Sequence, residues 1–158
     1  MAGVWIVYYS RSGNTEAMAR YVAEGVKAEG VDVVSKRVED ASLEELLDAD
    51  GIIMGSPTYY GTMAAELKAF IDESVKYHGK WAGKVGGAFS SSGALGGGNE
   101  TTVLDILKAQ LVHGMIVQGS PKSSHYGPVA LGKSDEQSKA ACKQLGRRVA
   151  LLVKRLKS

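Results

Sequence analysis

The chain has 158 residues, 44% of them hydrophobic and 23% charged, the composition of one ordinary globular domain spanning 1–158 that needs no disulfide or metal staple. Its single cysteine, Cys142, excludes internal disulfides, zinc clusters, iron-sulfur centres and CxxC redox motifs, so any redox chemistry requires an organic cofactor. Nineteen basic against 17 acidic residues leave a net charge of +2, too small for nucleic-acid binding by overall charge; no apolar run reaches the ~18 residues of a membrane span, and a reducing, cytoplasmic setting is expected.

Val4 to Tyr9 is a short continuous apolar run, as expected of a strand buried on both faces. It leads into Ser10-Arg11-Ser12-Gly13-Asn14-Thr15, followed by a helical stretch in which Met18, Val22 and Val26 recur every fourth residue. Hydroxyls and an amide able to donate, a glycine for a tight turn and the open N–H groups of a helix start make a phosphate cradle, although a capped turn uses the same residue types. Neither GxxxxGK[ST] nor GxGxxG occurs at this position, which disfavours nucleoside triphosphates and dinucleotides.

Val31 to Val38 alternates as a second strand, and the stretch Glu39 to Asp50 carries six acids. Gly51 to Met54 reads as the third strand, followed by the loop Gly55-Ser56-Pro57-Thr58-Tyr59-Tyr60-Gly61. Adjacent tyrosines beside turn residues suit a planar ligand, with ordinary packing on a helix as the alternative. Met63, Leu67 and Ile71 mark the next helix. Val85 to Phe89 is the fourth strand, and Ser90-Ser91-Ser92-Gly93-Ala94-Leu95-Gly96-Gly97-Gly98-Asn99 after it has almost no side-chain bulk. Such a loop offers backbone groups to the edge of a heterocycle, or is simply flexible. Val103, Leu107 and Leu111 predict a third helix and Met115 to Val117 a weak fifth strand. The last helix shows Ala141, Leu145, Val149, Leu152 and Leu156, with Ser134 and Gln137 as its capping box.

Strand-helix alternation repeated about five times predicts an open, doubly wound α/β sheet, and ligands of such sheets bind outside the carboxyl ends of the strands. The three polar loops fall at that edge. A mononucleotide with a phosphate and a flat ring fits all of them.

These residues resemble a known family. SRSGNT, GSPTYYG and FSSSGALGGGNETT resemble the phosphate and ring loops of flavodoxin-like FMN-binding proteins, and YYSRSGNTEAMAR, GSPTYYGTMAAELKAFID, KWAGK and LVHGMIV are similar to the Trp-repressor-binding-protein type of NAD(P)H:quinone oxidoreductase. The resemblance implies a three-layer α/β/α sandwich around a five-stranded parallel sheet of order 2-1-3-4-5. It implies FMN as cofactor, with its phosphate on Ser10, Arg11, Ser12, Gly13, Asn14 and Thr15. The ring would lie against Pro57, Thr58, Tyr59, Tyr60 and Gly61 and against Ser90, Ser91, Ser92, Gly93, Ala94, Leu95 and Gly96. Trp81 resembles a substrate-side tryptophan and His113 a histidine near the flavin, the two candidate catalytic residues; as bland alternatives, Trp81 covers the core and His113 ends a helix. The chain departs from the pattern in a short Glu39–Asp50 connection, a short Gln118–Lys133 segment and a serine at position 12 where an aromatic is usual.

The implied activity is two-electron transfer from NADH or NADPH through FMN to a quinone or other small acceptor, in a homodimer or tetramer. The alternative is a one-electron carrier of the flavodoxin type that docks to redox proteins. A third loop without an aromatic or an acid, and a net positive charge, favour the reductase.

Overall fold

The computed structural model describes residues 3–158. Strands β1 (Gly3–Tyr8), β2 (Asp32–Arg37), β3 (Gly51–Tyr59), β5 (Val85–Ser92) and β6 (Ile116–Val117) lie side by side in the order β2-β1-β3-β5-β6, all parallel. A two-residue strand β4 (Thr62–Met63) folds back on the end of β3, and β7 (Val129–Leu131) pairs with the carboxyl half of β5. The fifth strand expected at Met115 to Val117 is thus β6, β7 is a further, unexpected short piece beside β5, and the segment 118–128 leaves the sheet between them.

Helices α1 (Asn14–Ala28) and α4 (Glu136–Lys157) cover one face of the sheet, and α2 (Ala65–Glu73) and α3 (Asn99–Val112) the other. Strand alternation divides the core accordingly. Val4, Ile6 and Ile53 meet Met18, Val22, Leu145 and Val149, while Val7, Ile52 and Met54 meet Leu67, Val103 and Ile106. This is the doubly wound, flavodoxin-like sandwich expected, with the core strands buried on both sides. Among the described residues no helix is long and apolar enough to cross a membrane.

Several details differ from expectation. Strands β3 and β5 run on through Tyr59 and Ser92, so Ser90, Ser91 and Ser92 belong to a strand and the third loop begins at Gly93. Buried serines are tolerated there because their hydroxyls find partners across the site, described below. Pro57 is tolerated in β3 because β1 has ended: its last pair is Tyr8 with Gly55, and alternation turns Pro57 toward that vacated side. Met63 lies in β4, ahead of α2. In α3 the buried face is Val103, Ile106, Leu107 and Gln110, while Leu111 is exposed; in α4, Leu156 is exposed and Val153 buried. A strict four-residue spacing advances 400°, so it drifts about 40° off a helix face at each step. Helix α4 is capped by Asp135 rather than Ser134, its Oδ1 accepting from Ser138 N at 2.8 Å and Ser138 Oγ at 2.9 Å. Those bonds hold the Asp135 carboxyl below its ordinary pKa.

Candidate functional site

The carboxyl ends of β1, β3 and β5 bring the three expected segments to one edge. In the first, Gly13 takes the left-handed conformation (φ 97°) and opens α1 without a side-chain cap. Buried Ser10 shapes the turn from inside: its Oγ accepts from Gly13 N at 3.1 Å and Glu16 N at 3.2 Å. Asn14 and Thr15, whose N–H groups start the helix, line a cleft of about 250 Å³, and Arg11 and Ser12 stand at its mouth.

A residue that motif reading did not select completes this turn. Arg37 ends β2, and the register Tyr8 with Arg37 sets it beside the first loop. Its guanidinium donates to the Ser10 carbonyl and, at 2.7 Å, to Glu16 Oε2, with Glu39 3.6 Å away. The signal was its place, the last residue of the strand flanking β1 in a parallel sheet.

The second segment is a hairpin rather than a loop. Tyr60 (φ 48°) and Gly61 (φ 81°) form the two-residue turn between β3 and β4, whose two positive φ angles match the right-handed twist of the flanking strands. Tyr60 is fully exposed in this unfavourable conformation, while Tyr59 packs its ring edge-on against Tyr9, centroids 6.5 Å apart.

The hairpin is latched to the third segment. Thr101 Oγ1 donates to the Gly61 carbonyl at 2.7 Å, and a Cβ at Gly98, which starts α3 at φ 105°, would stand 2.7 Å from Gly61 Cα. Gly98→Ala therefore displaces the hairpin and strains the helix start. Its expected signature is a lower Tm together with weakened binding of any ring lodged between the two segments, read by thermal melts and ligand titration.

Hydroxyls knit the floor of the cleft. Thr15 Oγ1 lies 3.0 Å from Ser91 Oγ, Ser90 Oγ lies 3.0 Å from Thr58 Oγ1, and Thr102 Oγ1 lies 3.1 Å from Thr58 Oγ1. Asn99 Nδ2 donates to Ser92 Oγ at 3.0 Å, and Ser92 Oγ to the Ala94 carbonyl at 3.1 Å. Asn99, Thr101 and Thr102 thus support the site from the start of α3. Pro57, Thr58, Tyr59 and Gly93 also line the cleft, and no carboxylate does. Leu95 projects into solvent, and Gly96 (φ 74°) turns the loop back toward α3.

Trp81 and His113 sit elsewhere. Each precedes a strand, β5 and β6 respectively, so both lie at the amino-terminal edge of the sheet, a strand length of ~23 Å from the loops after β5. Both are buried in the core, their ring centroids 4.3 Å apart. Ser74 Oγ spends its proton on the Ile71 carbonyl, so His113 Nε2 donates to Ser74 Oγ at 2.7 Å and Nδ1 is left as a bare, unpartnered acceptor.

Burial, aided by the nearby His78, pushes the His113 pKa below its ordinary value of 6.5. The folded state therefore binds the proton less readily than the unfolded one. Stability from neutral His113 is fully present above pH 6.5 and declines as pH falls from there toward the folded pKa. Urea midpoints measured across that window should fall more steeply for the wild type than for His113→Gln; equal slopes would remove His113 from this account.

Comparison with known proteins adds to this geometry. The family model described as NADPH-dependent FMN reductase matches residues 37–126. A protein named flavodoxin from Aquifex aeolicus is 41% identical over 159 aligned positions, covering 95% of this chain and 86% of its own. A protein named NAD(P)H dehydrogenase (quinone) from Sinorhizobium fredii is 42% identical over 143, covering 77% and 72%. Among solved structures, a flavodoxin, WrbA-like protein from Agrobacterium tumefaciens matches with a TM-score of 0.83 at 28% identity, over 98% of this chain and 99% of its own.

Proposed function

The chain belongs to the flavodoxin-like NADPH-dependent FMN reductase family, and from that premise we propose that it binds FMN and passes electrons from NADH or NADPH to a quinone. The donor set fits FMN: a helix start with open N–H groups and neighbouring hydroxyls for the phosphate, Pro57, Thr58 and Tyr59 on one side for a flat ring, and Ser91, Ser92 and Gly93 on the other. When bound, FMN supplies the redox chemistry, which no side chain of the site can perform.

The residues of the chain orient and screen it. Asn14, Thr15 and Ser12 would hold the phosphate, with Ser10 keeping their turn in shape. Pro57, Thr58 and Tyr59 bound the ring on the β3 side, Ser91, Ser92 and Gly93 on the β5 side. Backbone N–H groups of Gly93 to Gly96 would be available to donate to the edge of a bound ring. Trp81 and His113 brace the opposite edge of the same chain and do not line this cleft.

One observation favours a reductase: the third wall, Gly93 to Gly98, presents neither an aromatic ring nor a carboxylate, which leaves room for a flat acceptor and spares a reduced, anionic ring from repulsion. Exposed Tyr60 and Leu95, on the two segments that adjoin the cleft, however, also offer apolar surface suited to docking a redox protein, the carrier alternative. Flavin absorbance in the protein after FMN addition tests the first step. Anaerobic bleaching by NADH or NADPH, then rapid reoxidation by benzoquinone, is the expected result; slow reduction with a stable half-reduced form would identify a carrier.

A further inference from the structure

The segment 118–128 leaves the sheet between β6 and β7 and, with α4, encloses a cleft of about 360 Å³ at the outer edge of the sheet. No residue lines both this cleft and the one at the carboxyl ends of β1 and β3. Its floor is one stripe of α4. Arg148, Leu151, Leu152 and Arg155 stand at i, i+3, i+4 and i+7, so two arginines whose Cα atoms are about 10.5 Å apart along the axis bracket an apolar centre. Pro121 and Lys122 contribute from the other side. That lip is shaped by Ser120 N donating to the His125 carbonyl at 3.1 Å and by His125 Nδ1 donating to the Ser120 carbonyl at 2.7 Å.

The cations here are underused. Arg147 is paired with Glu29 at 2.6 Å, but among the described residues no carboxylate pairs with Arg148, Arg155 or Lys122. Arg148 spends Nε on the Gln118 carbonyl at 3.2 Å, leaving the rest of its donor fork. Burial in the cleft also pushes its pKa down, the mark of a guanidinium held partly out of water without an anion to repay the desolvation.

We propose that this cleft binds a nucleoside phosphate, with phosphate oxygens on Arg148 and Lys122 and the base lying on Leu151 between the two arginines. Guanidinium forks match phosphate oxygens in pairs. The volume falls in the range of small-molecule sites, about 300 Å³ upward, whose walls are mostly apolar with a few placed polar groups. The apolar strip between cations suits a flat base better than a sugar phosphate or a bare anion. This site stands independently of the flavin reading.

Calorimetric titration of the full chain, with FMN present in excess, tests it with ADP, pyrophosphate and adenosine as probes. ADP should bind one per chain, at least about tenfold more tightly than either fragment, and still bind at about 150 mM salt. Arg155→Gln and Lys122→Gln, both at exposed positions, should each weaken ADP about tenfold with Tm unchanged, as should Arg148→Gln if it folds. Lys139→Gln, on α4 outside the cleft, should leave ADP binding as it was. Equal affinity for ADP and pyrophosphate, loss of both in salt, or an equal effect of Lys139→Gln would reduce the feature to diffuse surface charge and overturn the proposal. So would displacement of FMN by ADP, which would place the nucleotide at the first loop. Binding of poly-glutamate without binding of ADP would overturn it in favour of an acidic protein partner.

Discussion

Gly146→Ala is expected to lower stability by about 2–3 kcal/mol, although alanine is the better helix former by about 1 kcal/mol. Helices α1 and α4 cross where Gly25 faces Lys143 and Gly146 faces Val22. A Cβ at Gly146 would lie 2.0 Å from the Val22 carbonyl oxygen and 2.9 Å from Val26 N, and one at Gly25 would lie 2.0 Å from the Lys143 carbonyl oxygen. These obstacles are backbone atoms, so no rotamer change relieves the clash and the helices must part. Parting them loosens Met18, Val22, Cys142 and Val149, which form the core on that side of the sheet. In a domain of this size the loss corresponds to a Tm lower by roughly 5–10 °C. Gly25→Ala should act alike, and the double variant should lose less than the sum, because the first methyl already opens the crossing. A Tm raised by Gly146→Ala would mean that helix propensity outweighs the crossing and that the helices lie farther apart than described. Cys142 gives an independent reading of the same interface: burial pushes its thiol up to about 12, so it should stay unreactive toward thiol reagents until the crossing opens.

Continuous apolar runs such as Val4–Tyr9 and Gly51–Met54, alternating with helical periods, were enough to read a doubly wound sheet, since strands buried on both faces have no other simple pattern. The ends of those strands were not legible. Ser90, Ser91 and Ser92 look like a loop in sequence; Thr15 and Thr58, 76 and 32 residues away from their partners, make the buried hydroxyls of Ser91 and Ser90 acceptable in β5, and Asn99 that of Ser92. β7 is three residues long and interrupted from β6 by a segment without a period, so its pairing comes from β5 rather than from its own residues. The three segments stand out by residue type and position, because glycine, serine and tyrosine cluster at the carboxyl ends of the strands. Arg37 was hidden for the opposite reason: an arginine in an alternating strand looks like a solvated charge until the register puts it against Ser10 and Glu16. Trp81 and His113 came from resemblance alone, and the strand polarity that separates them from the loops is a property of topology rather than motif.

Ser10→Ala should raise the Kd for FMN by roughly 30–150-fold, about 2–3 kcal/mol, while changing that for riboflavin little. The buried Ser10 Oγ receives two N–H groups, from Gly13 and Glu16, and alanine leaves both without a partner at the turn that presents the phosphate site. The residues proposed to bound the ring lie on β3 and β5 and are untouched, which is why the ligand without a phosphate is the discriminating control. Arg37 acts on the same turn through charge. Glu16 lies in the first turn of α1, where an unpaired carboxylate would repel a phosphate; the Arg37 fork holds it at 2.7 Å and ties the Ser10 carbonyl beside it. Both side chains are more than a third exposed, so the pair is worth under about 1 kcal/mol to the fold, and Arg37→Gln should alter Tm little. Its expected effect is a loss of about tenfold in FMN affinity, restored largely by adding Glu16→Gln, since the second change removes the charge that the first uncovered. Equal losses for FMN and riboflavin in Ser10→Ala, or no recovery in the double variant, would show that the turn supports the fold in general and does not hold a phosphate.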